Sequence, residues 1–237
     1  MPRRKTKKRS FSKFLINTFF FLGIVGMVSL FAAYKYFAND LPDLKDITGY
    51  EPTLVNEFYS SNGTLVAEYG IEKRKLVDLE DIPDHVIDAF IAIEDKRFYE
   101  HQGFDLKGIF RAVVQNTIKG EVVSGASTIT QQVTKNLVLS SQKTYTRKIK
   151  ELILSYRIEK NLTKKEILYL YLNQIYLADG NYGVQAASQN FFGKDIGEIG
   201  IAEAAILAGI PKRPEYYSPR KNLKNALSRQ KTVLNIM

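Results

Sequence analysis

The sequence predicts a mainly α-helical domain, preceded by one transmembrane helix and a β-hairpin. Three observations predict this fold class. An apolar run of 21 residues lies near the N-terminus, a Ser-Ser-Asn-Gly turn separates two short β-type segments, and apolar residues recur at helical spacing from Ile82 onward. The sequence has no cysteine, so no disulfide can form, and the roughly 200 residues after the apolar run must fold around their own core.

Basic residues are concentrated at the N-terminus. The net charge is +9, and residues 1–13 hold seven of the 34 basic residues, which leaves 27 against 25 acidic ones. The seven are Arg3, Arg4, Lys5, Lys7, Lys8, Arg9 and Lys13. Because the rest of the chain is nearly neutral, we expect no nucleic-acid partner. Residues 1–13 are interpreted as a basic cytoplasmic tail.

The apolar run at residues 14–34 is long enough to cross a bilayer as a helix. We place the transmembrane anchor at residues 14–37. A cleaved signal peptide is the alternative, but it would have a shorter apolar core and a small-x-small cleavage site, which the end of this run lacks. Basic residues before the run and Asp40, Asp43 and Asp46 after it favour a single-pass protein of the plasma membrane, with a cytoplasmic N-terminus and the residues after the anchor on the outer face.

The segment after the anchor contains turn-forming residues. Residues 38–53 include Pro42, Gly49 and Pro52 and are predicted to be a linker. Residues 54–80 are predicted to hold a β-hairpin and further linker, with strands over 54–59 and 64–69 joined by the turn Asn62-Gly63. Two strands alone are marginally stable, so we expect the hairpin to pair with another element.

Residues 81–237 are predicted to form the helical domain. Pro83-Asp84 opens its first helix, and a stripe beginning at Leu106 marks the second. Apolar spacing predicts further helices over residues 128–139, 145–162, 165–177 and 201–209. The segment 165–177 is apolar nearly all round, so it should be the buried central helix.

Two carboxylates are candidate catalytic groups. Glu94 follows an apolar helical run, and burial there would raise its pKa toward the range in which it can accept a proton. A solvated end of the helix is the alternative for Glu94 and Asp95 taken alone. Glu151 shares a helical stripe with Leu154 and lies one turn after Arg147. Two interpretations of Glu151 stay open: a catalytic role, or a structural ion pair with Arg147.

Four motifs occur in series. They are E-D-K-R-F-Y-E-H-Q-G at residues 94–103, G-A-S-T-I-T-Q-Q at 125–132, R-K-I-K-E at 147–151 and K-E-I-L-Y-L-Y-L-N at 165–173. In this order and spacing the chain resembles the family 51 peptidoglycan glycosyltransferases, the domain found in class A penicillin-binding proteins and monofunctional transglycosylases. The resemblance covers about residues 55–220.

The resemblance implies a lysozyme-like fold with a small membrane-proximal lobe, and it implies a reaction. The family polymerises lipid II into β-1,4-linked glycan and releases polyprenyl pyrophosphate, with inversion at the anomeric carbon. Glu94 matches the family's general base. Glu151 would orient the cations or support the donor sugar, and lipid II, the growing glycan strand, moenomycin-type inhibitors and cell-wall synthesis proteins are the expected partners.

The resemblance also assigns substrate-binding and supporting residues. The substrate-binding residues would be Asp95, Phe98, Ser127, Thr128, Gln131, Gln132, Lys135, Asn136, Lys143, Arg147 and Lys148. Among these, the cations would hold the pyrophosphate, while Ser127 and Thr128 could equally cap a helix. His101, Gly103 and Asn173 would be structural residues near the site. A divalent cation, Mg²⁺ or Mn²⁺, could assist at the pyrophosphate, although no local group of ligands specifies a metal site.

Further expectations concern the membrane lobe, departures from the family pattern and alternative functions. Of the apolar residues between Phe104 and Ser124, some would lie in a lobe that contacts the bilayer and the rest would pack in the core. Ala178-Asp179 stand where relatives have a glycine-rich segment. No K-T-G element occurs, so no transpeptidase site is expected in this chain. The chain is interpreted as the front part of a bifunctional protein, with a monofunctional transglycosylase as alternative. A lysozyme-like hydrolase and a silent scaffold are the other functional classes.

Overall fold

The computed structural model describes residues 7–39, 41, 56–70, 72–120, 125, 127–138 and 144–237. The chain divides into two compact units, Met1–Pro42 and Asp43–Met237. Most of the predicted linker lies outside the described residues, as do Val122, Val123 and Lys143.

The first unit is a single long helix, α1, at Lys7–Ala38. Its segment Lys13–Ala38 has 26 residues and a mean hydropathy of 2.2, and none of its most apolar window is buried within the protein. At 1.5 Å per residue this segment exceeds the roughly 30 Å of a bilayer's hydrocarbon core. The predicted membrane-spanning segment is therefore a continuous helix of sufficient length.

The second unit begins with the predicted hairpin. Strand β1 at Asn56–Tyr59 pairs antiparallel with β2 at Leu65–Tyr69, with a register irregularity at Phe58 and Tyr59. The turn is closed by Asn62, whose side chain accepts from the backbone N–H of Thr64 at 3.2 Å, and Gly63 has φ of +79°. Among the described residues this sheet stays two-stranded, so the expected pairing with another element is not found there.

A second, very short sheet links distant parts of the sequence. Strand β3 at Lys73–Arg74 lies parallel to β4 at Asn181–Tyr182. The buried Arg74 guanidinium donates to the carbonyl of Asn173 at 3.2 Å. The segment before the helical domain is thereby attached to the loop that follows the central helix.

Helices form most of the second unit. After a 3-10 turn at Leu79–Asp81, they are α2 at Asp84–Glu94, α3 at Leu106–Lys119, α4 at Ile129–Val138, α5 at Tyr145–Asn161, α6 at Lys164–Gln174, α7 at Val184–Phe192, α8 at Ile201–Gly209, α9 at Pro214–Tyr217 and α10 at Leu223–Leu234, with a second 3-10 turn at Ile196–Glu198. The prediction of a mainly α domain is confirmed, and its helical architecture is consistent with the predicted lysozyme-like class.

The central helix is α6. Thr163 and Glu166 form a capping box at its start, and the last two turns bury residues of every side of the helix. Helix α4 packs against α5 and α6, while α8 packs against α2 and α10. The predicted burial of the central helix is confirmed, but α6 ends at Gln174, three residues before the predicted boundary.

The helix ends early because the next residues turn back on themselves. Tyr176 bridges to Tyr182, and Ala178 and Asp179 have φ of +66° and +52°. These are left-handed conformations that side chains other than glycine adopt at a cost. The Asp179 carboxylate accepts from the Ser218 hydroxyl at 2.7 Å, which holds the loop in place. The predicted departure from a glycine-rich segment thus falls on residues that take glycine-like conformations.

Candidate active site

Glu94 is the last residue of α2 and reaches a cleft. The helix buries Val86, Ala89, Phe90 and Ile91 against the core, which fixes the orientation of its final turn. Burial raises the pKa of Glu94 above its ordinary value. The hydrogen bond from Gln132 Nε2 to Glu94 Oε2, at 2.6 Å, acts in the opposite direction.

Two adjoining cavities share Glu94. The first, of about 170 Å³, extends toward Asp95 and Arg111, and the second, of about 370 Å³, extends toward Lys212 and Arg229. Both also have Ile93, Gly125 and Ser127 in their walls. Glu94 therefore stands where the two halves of one open cleft meet, with basic side chains on both sides.

Asp95 connects the end of α2 to the start of α4. Its buried carboxylate accepts from His101 Nε2 at 2.8 Å and from the backbone N–H of Ile129 at 3.0 Å. A carboxylate at the first turn of a helix is favourable because the free N–H groups and the helix dipole attract it. This contact fixes the distance between Glu94 and the helix that carries Gln132.

Thr128 caps the same helix. Its hydroxyl accepts from the backbone N–H of Gln131 at 3.1 Å and donates to the carbonyl of Gly103 at 2.7 Å. The Gln131 side chain reciprocates by accepting from the backbone N–H of Thr128 at 3.1 Å. Thr128 and Gln131 are almost completely buried, and their side chains form the cap and bind the loop. The capping role expected for Thr128 is present, and its contact with substrate stays a prediction.

A buried polar network supports the site from behind. His101 Nδ1 lies 3.9 Å from Glu159, which in turn accepts from Thr130 at 2.6 Å and from Lys164 at 2.7 Å. The Lys164 ammonium also lies 4.3 Å from the ring centroid of Phe98, a cation–π contact. Phe98 has no exposed surface, so its ring packs beneath the site. This position differs from the predicted one, in which Phe98 would contact the substrate.

Glu151 lies on α5 in an ion-pair cluster. It is buried, its Oε2 is 3.4 Å from Arg147 Nη1, and it also pairs with Lys148. The Lys148 ammonium donates to the Ser127 hydroxyl at 3.2 Å, and Ser127 belongs to the walls around Glu94. The predicted pair between Arg147 and Glu151 is present, and Lys148 links this pair to the cleft.

Of the remaining predicted residues, some are exposed on the surface and others support the structure around the site. Lys135 and Asn136 are exposed on α4, and Lys135 lies one helical turn after Gln132 on the same face. The Asn173 side chain accepts from the backbone N–H of Val77 at 2.9 Å and donates to its carbonyl at 3.0 Å, as expected of a supporting residue. Gly103 has φ of +90°, and a Cβ there would lie 2.6 Å from the backbone of Ser155.

Two basic residues near Glu94 were not predicted from the sequence. Lys212 follows α8 and Arg229 lies on α10, and their positive charges lower the pKa of Glu94, against the larger effect of burial. They are more than 100 residues from Glu94 in sequence and carry no motif. Only the packing of α8 against α2 and α10 brings them to the cleft.

Together these features define a helical domain with a half-buried carboxylate in an open cleft lined by cations. The sequence model of the family described as Transglycosylase matches residues 62–237, and the chain belongs to this family.

Its curated relatives include penicillin-binding proteins 1A. The protein of Neisseria cinerea is 47% identical over 213 residues, and that of Aquifex aeolicus is 45% identical over 221 residues. The match covers 90% and 91% of this chain, but the chain spans only 26% and 30% of those relatives. The crystal structure of penicillin-binding protein 1A from Haemophilus influenzae is 27% identical, with a TM-score of 0.42 over 79% of this chain and 18% of that one.

Proposed function

We propose that this chain is a peptidoglycan glycosyltransferase that polymerises lipid II into β-1,4-linked glycan strands. The observation that carries the proposal is Glu94, a half-buried carboxylate of raised pKa that faces a cleft with basic walls. Membership in the transglycosylase family and the relatives named penicillin-binding protein 1A support the same reaction class.

In the proposed reaction Glu94 is the general base. The 4-hydroxyl oxygen of the acceptor N-acetylglucosamine attacks the anomeric carbon of the donor N-acetylmuramic acid, and its proton passes to the Glu94 carboxylate. The bond from that carbon to the pyrophosphate oxygen breaks, and the pyrophosphate leaves with the electron pair. Attack opposite the leaving group converts an α linkage to a β linkage. A raised pKa suits this step because the base must take up a proton near neutral pH.

Cations suit the leaving group. The departing pyrophosphate is already anionic, so positive charge stabilises it without a general acid. Arg147 and Lys148 are held by Glu151, and Lys148 reaches Ser127 at the cleft wall. We propose that Arg147, Lys148, Lys135 and Lys143 bind the pyrophosphate. Lys143 lies outside the described residues. Arg229 and Lys212 would limit the rise in the pKa of Glu94 from the other side.

No step is assigned to a metal ion. A divalent cation at the pyrophosphate was expected from the resemblance to the family. Among the described residues, no group of three or more histidine, aspartate or glutamate side chains is arranged to hold one. The divalent cation at the pyrophosphate therefore stays a prediction, with no ligand group assigned to it among the described residues.

Membrane attachment fits the proposed substrate. Helix α3 exposes five large apolar side chains, of which Phe110 is 72% exposed; they are Leu106, Phe110, Val113, Val114 and Ile118. An amphipathic helix with such a face is suited to lie in a lipid interface. We propose that this lobe contacts the bilayer and that α1 anchors the protein with its N-terminus in the cytoplasm and its catalytic body outside.

The natural protein is proposed to be bifunctional. The chain spans 26% of the penicillin-binding protein 1A of Neisseria cinerea, so relatives of this type carry much more sequence than the matched region. A class A penicillin-binding protein with a separate transpeptidase domain has this organisation. The alternative is a monofunctional transglycosylase.

The experiment is conversion of purified lipid II by the chain in detergent. Polymer formed by the wild type, lost with Glu94→Gln and blocked by moenomycin would support the proposal. Glu151→Gln would show whether the ion-pair cluster is required. Release of sugar fragments from finished peptidoglycan, with lipid II untouched, would instead identify a hydrolase. No activity in either assay, with a folded protein, would favour the scaffold.

A further inference from the structure

Tyr171 belongs to the fourth sequence motif, at residues 165–173, and the proposed reaction gives it no part. It lies on α6 and is only 1% exposed. Its hydroxyl is buried and has no hydrogen-bond partner among the described residues. A buried tyrosine usually directs its O–H to an acceptor, because an unpaired polar group in the interior costs free energy. Packing alone would therefore favour phenylalanine at this position, so the hydroxyl indicates a role other than packing.

The ring of Tyr171 packs against α2, one turn before Glu94. Its centroid is 6.0 Å from that of Phe90, in an edge-to-face contact. Phe90 precedes Glu94 by four residues, so the two lie on the same side of α2. Helix α6 also packs against α4, which carries Gln132. Tyr171 thus lies on a helix that contacts both helices of the Glu94–Gln132 hydrogen bond.

Two carboxylates act on the Tyr171 hydroxyl. The pKa of Tyr171 is raised well above its ordinary value, first by burial and then by the negative charges of Glu94 and Asp95. The phenol therefore keeps its proton. Asp95 is already held by His101 and by the start of α4, whereas Gln132 is the single hydrogen-bond donor to the Glu94 carboxylate within the described residues. Because a hydroxyl hydrogen can rotate, the positive end of the O–H dipole can turn toward Glu94, and the low dielectric of the interior strengthens this attraction.

We infer that Tyr171 is a positioning residue for the general base, and that its hydroxyl stabilises the ionised carboxylate of Glu94 from the interior of the protein. It supplements the amide of Gln132 and does not touch the substrate. The inference rests on the proposed function for the role of Glu94 as base. The other groups that act on the Glu94 carboxylate are the amide of Gln132, the cations Arg229 and Lys212, and the carboxylate of Asp95.

The first test is Tyr171→Phe in the full chain, which removes the hydroxyl and keeps a ring against Phe90. Without the dipole the pKa of Glu94 rises further, so the acidic limb of lipid II polymerisation should move to higher pH by about half a pH unit. At pH 6 we expect kcat to fall about threefold, with KM and the rate at pH 8 nearly unchanged. The matched control is Tyr169→Phe, a half-buried tyrosine of the same helix, which should leave the profile unchanged.

Stability gives a second readout, which needs no turnover. Near pH 4, where Glu94 is protonated, Tyr171→Phe should be at least as stable as the wild type, because the hydroxyl it removes has no partner. The raised pKa of Glu94 makes stability fall as pH rises, and this fall between pH 4 and pH 8 should be larger in Tyr171→Phe. Glu94→Gln introduced into both proteins should remove the difference.

Three results would overturn the inference. An unchanged acidic limb, with an unchanged pH dependence of stability, would make the hydroxyl a packing defect. A loss of stability at pH 4 without a shift of the limb would make it a structural group. A raised KM with the same rate loss at every pH would place Tyr171 in substrate binding. If the wild type does not polymerise lipid II, the proposed function fails, and the stability comparison still decides whether Tyr171 acts on Glu94.

Discussion

The side-chain amide of Gln132 donates a 2.6 Å hydrogen bond to the Glu94 carboxylate. Gln132 lies on α4 and Glu94 ends α2, and Asp95 holds these two elements together through the Ile129 N–H. A hydrogen bond to the ionised form lowers a carboxyl pKa, so Gln132 moderates the rise that burial causes. The half-buried base thus stays available as a proton acceptor.

Replacement of Gln132 by methionine should therefore impair the base. The pKa of Glu94 rises further when the donor is lost, so the acidic limb of the activity profile moves to higher pH. We expect polymerisation at pH 6 to fall about tenfold and to recover partly at pH 8. Lipid II conversion across this range measures it, with Gln102→Met, an exposed glutamine, as control. A uniform loss at every pH would mean that Gln132 binds substrate and does not tune the base.

Arg229 offers an independent test of the same carboxylate. Its positive charge lowers the pKa of Glu94, so Arg229→Met should also move the acidic limb to higher pH, and Arg229→Lys should restore most of the effect. High salt should weaken the Arg229 effect more than the Gln132 effect, since charge is screened. Lys224→Met, on the exposed side of the same helix, is the matched control. An unchanged pH profile with raised KM would assign Arg229 to substrate binding alone.

Local spacing was sufficient to predict much of this site. The apolar stripe of α2 placed Glu94 at a helix end, and the four-residue interval from Arg147 to Glu151 predicted their ion pair, which is present. Both predictions depend on contacts within one helix, where the period of 3.6 residues fixes geometry. The same helical period predicted the burial of the central helix, which the structure confirms.

Contacts between distant segments were not predictable in this way. Arg229 and Lys212 reach Glu94 only because α8 packs against α2 and α10. Phe98 was assigned to the substrate by resemblance alone, whereas in the structure it is completely buried and its ring contacts Lys164, which is distant in sequence. The early end of α6 arises from left-handed Ala178 and Asp179, and no periodic pattern marks such a turn.

The raised pKa of Glu94 should make stability depend on pH. The folded-state pKa of Glu94 is raised, so the folded protein holds the proton more tightly than the unfolded chain. Its contribution to stability is full at low pH and is lost as pH rises through the folded pKa. Glu94→Gln cannot ionise, so it should match the wild type near pH 4 and be more stable near pH 8. Thermal unfolding at both pH values tests this, and a difference that is constant with pH, as expected for the exposed Glu100→Gln, would contradict it.

Gly103 should be intolerant of a side chain. Its φ of +90° is unfavourable for alanine, and a Cβ would lie 2.6 Å from the backbone of Ser155. We expect Gly103→Ala to lower the free energy of unfolding by about 3 kcal/mol or more. Gly120 has φ of +68° with open space around it, so Gly120→Ala should cost only about 1 kcal/mol. Equal losses in denaturant unfolding would show that the close approach of Ser155 is unimportant.

Lys148 should connect the acidic cluster to the chemistry. Its ammonium contacts Glu151 and donates to Ser127 at 3.2 Å, at the wall of the cleft that holds Glu94. If it stabilises the departing pyrophosphate, Lys148→Met should lower kcat about 10- to 100-fold with little effect on the pH profile, and Lys148→Arg should recover part of the rate because the charge is kept. Lys160→Met, an exposed lysine of the same helix, should retain activity. A loss in Lys148→Met accompanied by unfolding would assign Lys148 to the structure of the cluster, whereas a folded variant with full kcat would remove it from the mechanism.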